Sequence, residues 1–449
     1  MQRTVDMTVG SPTKHILKFA FPLILANMGQ QLYAIADASI VGRGVGVKAL
    51  AAVGATDWIY FMILWTIINL TQGFSTFVSR YFGEKNFAKL NKSIAMSTLL
   101  SGFIGILLTV VGILAARPLL SLMHTPIDII GEATAYLLIM IGGTIVVTAY
   151  NLASSVLRAF GDGKSPLIAM VIAAILNIGL DLLFVFPFDW GIYGAALASV
   201  LSQLVSFLFC LIRLNRIECI HLDRQAFRVD WADIKELLVF SLPLALQSIT
   251  IALGGIFLQS VINLQGSVFI AGYTATNKMY GLMECSAIAL GLACSTFLAQ
   301  NYGAGLYGRV RKGVKAASLI ATGMALAVFV ILLLIRWDLL QLFLDVNQEN
   351  GFEALEVAVR YLTYMIFFLV ILFLIHVFRN ALQALQISLW SMLSGFAELA
   401  CRLFMAFVAI SWIGTDALFL SEPLAWAGAL AFVMIPYFFY QRKLLKIHA

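Results

Sequence analysis

Twelve long runs of apolar residues are the feature that most limits how this chain can fold. Each run holds roughly 20 or more residues between charged, glycine or proline breaks, the length that a helix needs to cross a bilayer. Lipid accepts a spanning segment only as a helix or inside a closed barrel, and these runs are too long for barrel strands. We therefore predict an all-α integral membrane protein with twelve transmembrane helices. The runs lie near residues 16–40, 50–77, 93–115, 131–155, 165–187, 191–213, 236–263, 268–298, 314–335, 355–378, 388–412 and 420–440.

The composition agrees with a membrane protein. Of the 449 residues, 61% are hydrophobic and 12% are charged, whereas about 25% of the residues of a soluble domain are charged. This excludes a soluble enzyme, a disordered protein and a secreted disulfide scaffold. The polar stretch at residues 1–18 does not read as a cleaved signal peptide, so we expect the first span to be retained. The five cysteines lack metal-type spacing, so we predict neither a disulfide framework nor a zinc site.

The distribution of Lys and Arg gives the orientation of the spans. With the N-terminus inside, 22 of the 29 basic residues, Arg379 among them, fall in cytoplasmic segments, and five fall outside. Lys278 and Arg402 are left within the predicted spans. Basic residues favour the cytoplasmic loops of membrane proteins, so we expect both termini in the cytoplasm. The net charge of +6 then marks the cytoplasmic face and does not indicate nucleic-acid binding.

The two halves of the chain repeat one pattern at an offset of 220 to 221 residues. Phe19-x-x-Pro22-Leu23 in the first span returns as Phe240-x-x-Pro243-Leu244 in the seventh. Ser75-Thr76-Phe77 likewise returns as Ser295-Thr296-Phe297. Internal repeats of this kind are typical of transporters built from two related bundles. We therefore predict two pseudo-symmetric six-helix bundles with the same inside–outside order.

The repeat sets the predicted domain boundaries. The N-terminal lobe is predicted at residues 1–215, a cytoplasmic linker at 216–235, and the C-terminal lobe at 236–449. The linker is polar and long enough for an amphipathic helix on the inner membrane surface. A plain tether is the alternative, and the sequence favours neither.

Four polar residues of the N-terminal half fall in one depth band near the outer side. Asp37 lies toward the outer end of the first span, and Asp181 lies roughly 9 Å deep in the fifth. Asn177 is one turn from Asp181 on the same face, and Ser199 lies ~12 Å deep in the sixth span. A charge within a bilayer is costly, so each acid needs a partner or a role. Either a carboxyl is protonated or a cation such as sodium binds among these oxygens; a purely structural cluster is the remaining alternative.

The C-terminal half carries a different polar set. Glu398 and Arg402 stand at the repeat-equivalent positions of the amide and acid of the fifth span, and an acid one turn from a base can neutralise it. We therefore interpret this pair first as structural. Lys278 and Glu284 are six residues apart on one helix and need not pair with each other. All four remain candidates for a substrate cavity, and His376 is either a packing residue or a proton relay.

Two loop motifs, in their order and spacing, resemble a known transporter family. Gln300-Asn301-Tyr302-Gly303-Ala304-Gly305 follows the eighth span. Leu157-Arg158-Ala159-Phe160-Gly161-Asp162, followed by Lys164-Ser165-Pro166, lies between the fourth and fifth spans. Together with the repeat they resemble the multidrug and toxic compound extrusion (MATE) family, in particular its DinF-like bacterial and archaeal branch. The resemblance implies secondary active efflux of organic compounds, driven by an inward proton or sodium gradient and without ATP.

The resemblance also implies roles for single residues. The positions that match the coupling-ion site are Asp37, Asn177, Asp181 and Ser199. Gln30, Tyr33 and Asn151 match positions of the N-lobe cavity, and Tyr33 precedes Asp37 by one turn. Pro22 matches the proline at which the first helix is proposed to bend. Pro243 occupies the same place in the second half, so a packing kink common to both repeats is the alternative.

From these observations we expect an antiporter of the plasma membrane. It would export organic, cationic or amphipathic compounds in exchange for protons by alternating access, with sodium coupling as the alternative. A flippase for lipid-linked precursors is a further alternative, but it would need a strongly basic cavity. Because the sequence has no Walker A, HExxH or Cys/His ligand motif, we predict no enzyme activity, no cofactor and no resident metal beyond a possible sodium ion. Small organic substrates and membrane lipid are the expected partners, and the expected state is a monomer.

Overall fold

A computed structural model describes residues 4–123, 125–344 and 350–447. Within these ranges, the side chains outside the description are those of residues 32–39, 42–43, 47–48, 50–51, 58, 128, 267 and 443–447. The described part of the chain consists of helices joined by turns, without any β-strand. The all-α fold class predicted from the sequence is confirmed.

Fifteen α-helices are described, seven before the linker and eight after it. The first seven are α1 (Pro12–Gly44), α2 (Val47–Gly83), α3 (Phe87–Leu122), α4 (Ile127–Gly142), α5 (Thr144–Ala159), α6 (Lys164–Val185) and α7 (Gly191–Leu214). The others are α8 (Trp231–Ile262), α9 (Ser267–Gly303), α10 (Tyr307–Gln341), α11 (Gly351–Phe367), α12 (Leu369–Ala384), α13 (Leu389–Phe404), α14 (Ile410–Ile413) and α15 (Asp416–Ile447). A 3₁₀ turn, Asn263–Gln265, follows α8, and a π-helical turn, Met405–Ala409, joins α13 to α14.

These helices provide the twelve predicted spans. Within the described residues, nine stretches are long and apolar enough to cross a membrane, and two bent helix pairs each form one broken span. Helix α1, with 33 residues, supplies the twelfth. The structure breaks the two spans predicted as continuous at 131–155 and 355–378. The helix axis bends by 43° between α4 and α5 and by 50° between α11 and α12.

The break between α4 and α5 has a visible packing reason. A Cβ added at Gly143 would lie 2.4 Å from Cγ2 of Val200 on α7, so only glycine allows this approach. The break between α11 and α12 falls at Phe368, next to neither glycine nor proline. A sequence prediction that uses glycine and proline to find helix breaks therefore does not detect this break.

The chain divides into two compact units, each described here by itself. The first unit contains residues 4–7 and Phe21–Ala245. The second contains Thr8–Ala20 and the residues from Leu246 onward. The first turns of α1 therefore belong to the second unit, and the first turns of α8 belong to the first. The lobe boundaries drawn from the sequence repeat stay a prediction.

The linker packs within the first unit. Residues 215–230 form turns and no helix, so the amphipathic-helix alternative is wrong for this segment. Asn91 on α3 holds it with two hydrogen bonds: Nδ2 donates to the carbonyl of Cys219 at 3.1 Å, and Oδ1 accepts from the backbone N of His221 at 2.8 Å. Beyond the linker, Phe240 of α8 packs edge-on against Phe77 of α2, with centroids 5.3 Å apart.

An aromatic stack joins three helices in the core of the second unit. Tyr273 of α9 lies on Tyr361 of α11 with ring centroids 4.7 Å apart. Tyr361 in turn stacks on Phe419 of α15 at 5.5 Å, and Phe419 stacks on Phe269 of α9 at 5.3 Å. Offset stacks of this kind add to the energy of apolar burial, so they fix α9, α11 and α15 around one centre.

Replacing Asn91 should release the linker from α3. Burial raises the pKa of the Cys219 thiol, so release of the linker should return that pKa toward its ordinary value and increase the thiolate fraction at neutral pH. We expect Cys219 to react with a maleimide several times faster in Asn91→Ala than in the parent protein, as measured by peptide-resolved mass spectrometry. Asn91→Asp keeps the acceptor for His221 and loses the donor to Cys219, so its rate should be intermediate. Equal rates in all three proteins would contradict this role of Asn91.

Candidate functional site

Three of the four residues predicted to bind the coupling ion lie together in the first unit. Asn177 and Asp181 are one turn apart on α6, and Ser199 is on the adjacent α7. All three side chains are buried: Asp181 is 0% exposed, Asn177 is 1% and Ser199 is 7%. A carboxylate, an amide and a hydroxyl therefore share one site that is closed to bulk solvent.

The hydrogen bonds of this cluster depend on which way the Asn177 amide is turned. With its nitrogen toward Asp181, Nδ2 donates to Asp181 Oδ2 at 2.8 Å, and Oδ1 accepts from the backbone N and from Oγ of Ser199 at 3.2 and 3.3 Å. With the amide turned over, Nδ2 donates to Ser199 Oγ at 3.3 Å. In that orientation Nδ2 also lies 3.2 Å from the backbone N of Ser199, a second donor, so the first orientation satisfies more of the polar groups. The amide oxygen then faces Asp181, where it can accept from a protonated carboxyl. The first orientation suits an ionised Asp181 and the second suits a neutral one.

The start of α6 is fixed by a turn that the sequence specifies. Gly161 has φ +76°, and a Cβ there would lie 3.0 Å from the carbonyl oxygen of Val5, so the position requires glycine. Asp162 then holds the first turn of the helix. Its Oδ1 accepts from the backbone N of Lys164 at 3.1 Å and of Ser165 at 2.9 Å, and its Oδ2 accepts from Ser165 Oγ at 2.6 Å.

Small residues bring α7 against α6. A Cβ added at Gly194 on α7 would lie 2.7 Å from Cβ of Phe184 on α6, so glycine permits the close approach. Further along α7, Ser206 Oγ donates to the backbone carbonyl of Ala169 on α6 at 2.9 Å. This close packing places the Ser199 hydroxyl within hydrogen-bond reach of the amide on α6.

The N-terminal half has five further predicted residues, and those whose side chains are described do not join this cluster. The side chains of Asp37 and Tyr33, both on α1, lie outside the described residues. Gln30 on α1 is exposed. Asn151 on α5 is half-buried, and its Nδ2 donates to the carbonyl of Val147 on its own helix at 2.9 Å. Pro22 is buried within α1, which continues through it as one helix.

In the second unit, the repeat-equivalent positions hold charges that neutralise one another. Glu398 accepts from Arg402 Nη2 at 3.2 Å, the contact that their spacing of four residues predicts. Its other oxygen accepts from Arg379 Nη2 at 2.6 Å. Arg402 also donates through Nε and Nη2 to both oxygens of Glu422, at 2.9 and 2.8 Å. Four buried charges thus form one alternating chain across α12, α13 and α15.

Two of these charges correct the assignment made from sequence. Arg379 was assigned to a cytoplasmic segment, but it lies buried in α12 and is paired with Glu398. Glu422 was not among the predicted buried charges, yet it is 9% exposed and holds Arg402. The repeat gives a signal for Arg379, because it stands 221 residues after Arg158 in the fourth-span motif. Glu422 has no such signal.

The other two cavity candidates of the second unit lie on α9 and do not pair with each other. Lys278 is exposed, whereas the side chain of Glu284 is 31% exposed. The partner of Glu284 among the described ion pairs is His376 on α12, with Nε2 4.0 Å from Oε1; the contact is an ion pair when the histidine is protonated. The spacing of six residues between Lys278 and Glu284 is consistent with this separation.

Comparison with known proteins decides the family. The chain matches the MatE family over residues 22–183 and 243–408, two segments that begin one repeat length apart. It is 30% identical over 309 residues to the probable multidrug resistance protein YpnP of Bacillus subtilis, covering 69% of each protein. The chain belongs to the MatE family. The probable multidrug resistance protein NorM of Thermotoga maritima is 24% identical over 425 residues, 93% of this chain and 89% of that protein.

The fold of this MatE chain agrees with that of solved members. A crystal structure of MATE in complex with MaL6 aligns with a TM-score of 0.90, covering 99% of this chain and 100% of that one at 22% identity. This agreement confirms the twelve-helix fold. Membership of the MatE family makes the chain a multi-pass integral membrane protein, and the MatE proteins are transporters.

A further polar group of this MatE chain was missed by the sequence reasoning. Arg158, at the end of α5, donates to Ser154 Oγ at 2.8 Å and to Ser155 Oγ at 2.6 Å. It also lies 3.5 Å from Gln72 Oε1. Its repeat equivalent, Arg379, contacts a carboxylate instead. The two units therefore satisfy the same arginine in different ways, with hydroxyls and an amide in one and with Glu398 in the other.

Breaking the charge chain of the second unit should destabilise this MatE chain. Glu398→Gln leaves Arg379 and part of Arg402 facing a neutral amide in a buried site, and the loss of one partner from a buried ion pair costs about 3–5 kcal/mol. Asp416→Asn is the matched control. It breaks the Arg360–Asp416 pair, which has a similar contact of 2.6 Å but an arginine side chain that is 55% exposed, and we expect it to cost about 1 kcal/mol or less.

The measurement is thermal unfolding of the purified proteins in one detergent. The account predicts a clearly lower Tm for Glu398→Gln than for Asp416→Asn. Equal Tm values for the two variants would show that the buried chain of charges contributes no more than the exposed pair.

Proposed function

We propose that this chain exports organic compounds from the cytoplasm in exchange for protons, by alternating access and without ATP or a cofactor. The names of its relatives support export of drug-like compounds, since YpnP and NorM are both described as probable multidrug resistance proteins. Organic cations and amphipathic compounds are the proposed substrates. The protein would act as a monomer in the plasma membrane. The excess of Lys and Arg on one side supports a cytoplasmic location for both termini.

The observation that carries the proton-coupled proposal is the Asn177–Asp181–Ser199 cluster. An exchangeable proton needs a site that is satisfied both with and without it, because an unsatisfied polar group inside a membrane is costly. Asn177 meets this need, since its amide can donate to an ionised Asp181 or accept from a protonated one. The Ser199 hydroxyl can donate to the amide oxygen or accept from the amide nitrogen, whichever faces away from Asp181. The cluster thus supports two protonation states with little rearrangement.

Asp37 completes the proposed site. The family resemblance assigns it to the same group of coupling residues, and its position near the outer end of the first span gives it a similar depth. A second carboxylate beside Asp181 would favour uptake of one proton, because two like charges at close range disfavour joint ionisation. Proton binding would then favour one of the two conformations of the alternating-access cycle, and proton release to the other side of the membrane would favour the opposite conformation.

A flippase for lipid-linked precursors is less well supported. Recognition of a pyrophosphate requires available cations, but Arg402 is already bound to Glu398 and Glu422. Arg379 is likewise bound to Glu398. Lys278 is exposed, but one lysine does not make the strongly basic cavity that such a carrier needs, so an exporter of organic compounds is favoured.

We expect Asp181→Asn and Asp37→Asn to abolish proton-driven efflux, because neither amide can carry an exchangeable proton. The assay uses purified protein in liposomes, an imposed proton gradient and a fluorescent organic cation such as ethidium. The control is Asp189→Asn, the same substitution in the exposed turn between α6 and α7. Asp189 has a φ of +53°, a conformation that Asn tolerates, so this variant should transport at the parent rate.

The same liposomes separate the two coupling ions. Applied separately, the proton gradient should drive efflux and the sodium gradient should not. Efflux driven by sodium alone would assign sodium to these residues and contradict proton coupling. Parent-level efflux by Asp181→Asn would contradict the role of the whole cluster.

A further inference from the structure

Glu284, in the middle of α9, lies outside the chain of paired charges of the second unit. Glu398 contacts two arginines and Glu422 contacts one. Arg379, Glu398, Arg402 and Glu422 together carry no net charge, so they need no further ion. Among the ion pairs of the described residues, Glu284 is joined to a histidine and to no arginine or lysine.

The packing of α9 on α12 brings Glu284 to His376. Two turns beyond Glu284 on α9, a Cβ at Gly291 would lie 3.0 Å from the carbonyl oxygen of His376 and 2.6 Å from Nδ2 of Asn380. The two helices therefore approach at the closest distance that glycine permits. As a result, the side chain of His376, which is 12% exposed, meets that of Glu284 at 4.0 Å.

The surroundings of this pair are apolar and aromatic. Tyr280 lies one turn before Glu284 on α9, and its ring stacks on Trp426 with centroids 5.7 Å apart. Trp426 is 2% exposed. An ionised carboxylate at such a site inside a membrane is costly unless a positive charge accompanies it.

The nearby charged groups do not supply that positive charge. The groups that act electrostatically on the pair are Tyr280 on α9, Arg379 on α12, Glu398 and Arg402 on α13, and Glu422 on α15. Both arginines are taken up by the two other acids. Helix α10 carries no charged residue between Lys315 and Arg336. On α11, the titratable side chain of Tyr361 stacks on Tyr273 and carries no positive charge.

We propose that Glu284 and His376 share one exchangeable proton and form a second protonation site, located in the second unit. The proton either neutralises the Glu284 carboxylate or converts His376 to an imidazolium that faces it. Both forms leave the pair and the four-charge chain without net charge. When the proton leaves, Glu284 is the one uncompensated charge of the group. This site does not depend on the proposed role of Asp181.

The test is to count the protons that the purified full-length protein binds in detergent between about pH 8 and about pH 5, the interval in which histidine usually titrates. We expect Glu284→Gln to bind one proton fewer than the parent. The double variant Glu284→Gln/His376→Gln should lose the same single proton, because the pair carries one proton and not two. Glu284→Asp keeps a carboxyl and should bind the parent number.

Two comparisons make the count specific. Glu356→Gln alters an exposed acid near the start of α11 and should leave the count unchanged. The loss caused by Glu284→Gln should also persist in an Asp181→Asn background, whether or not Asp181 couples transport. An unchanged count in Glu284→Gln would overturn the proposal. Loss of two protons in the double variant would also overturn it, because the two groups would then titrate independently.

Discussion

A polar group inside the lipid bilayer finds no water, and this constraint determines most of the architecture of the chain. Each charge in a span must be neutralised by another group of the protein, by a small ion or by a proton. The second unit neutralises its charges with permanent partners: Arg379 and Arg402 alternate with Glu398 and Glu422 at contacts of 2.6 to 3.2 Å. In the first unit, the described contacts of Asp181 and Arg158 include neutral amide and hydroxyl groups instead.

The internal repeat makes this contrast direct. Where the second unit has Glu398 and Arg402, the first has Asn177 and Asp181, 221 residues earlier. An arginine cannot give up its proton in a protein, so the charge of Arg402 is fixed. A carboxyl held by an amide and a hydroxyl can be satisfied in either protonation state. At these equivalent positions, one fold copied twice thus carries a fixed charge pair in one half and, in our proposal, an exchangeable proton in the other.

The sequence was sufficient where one physical rule dominates. Lipid forces long apolar runs into helices, so the twelve spans were predictable, and the i, i+4 spacing made the Glu398–Arg402 contact predictable as well. It was insufficient where partners come from distant helices. Arg379 meets Glu398 only because α12 packs beside α13, and the bend at Phe368 has no glycine or proline to announce it. The meeting of Asn177 with Ser199 followed from depth alone, but the two amide orientations required the structure.

Substrate-driven proton movement is the most direct test of the central claim that a proton held at Asp181 is exchanged for substrate. Purified protein in liposomes is given a gradient of an organic cation, with no initial proton or sodium gradient, and the internal pH is followed with an enclosed dye. The account predicts proton flow opposite to the substrate, lost in Asp181→Asn and retained in Asp189→Asn. Substrate movement without proton flow, or proton flow that persists in Asp181→Asn, would contradict it.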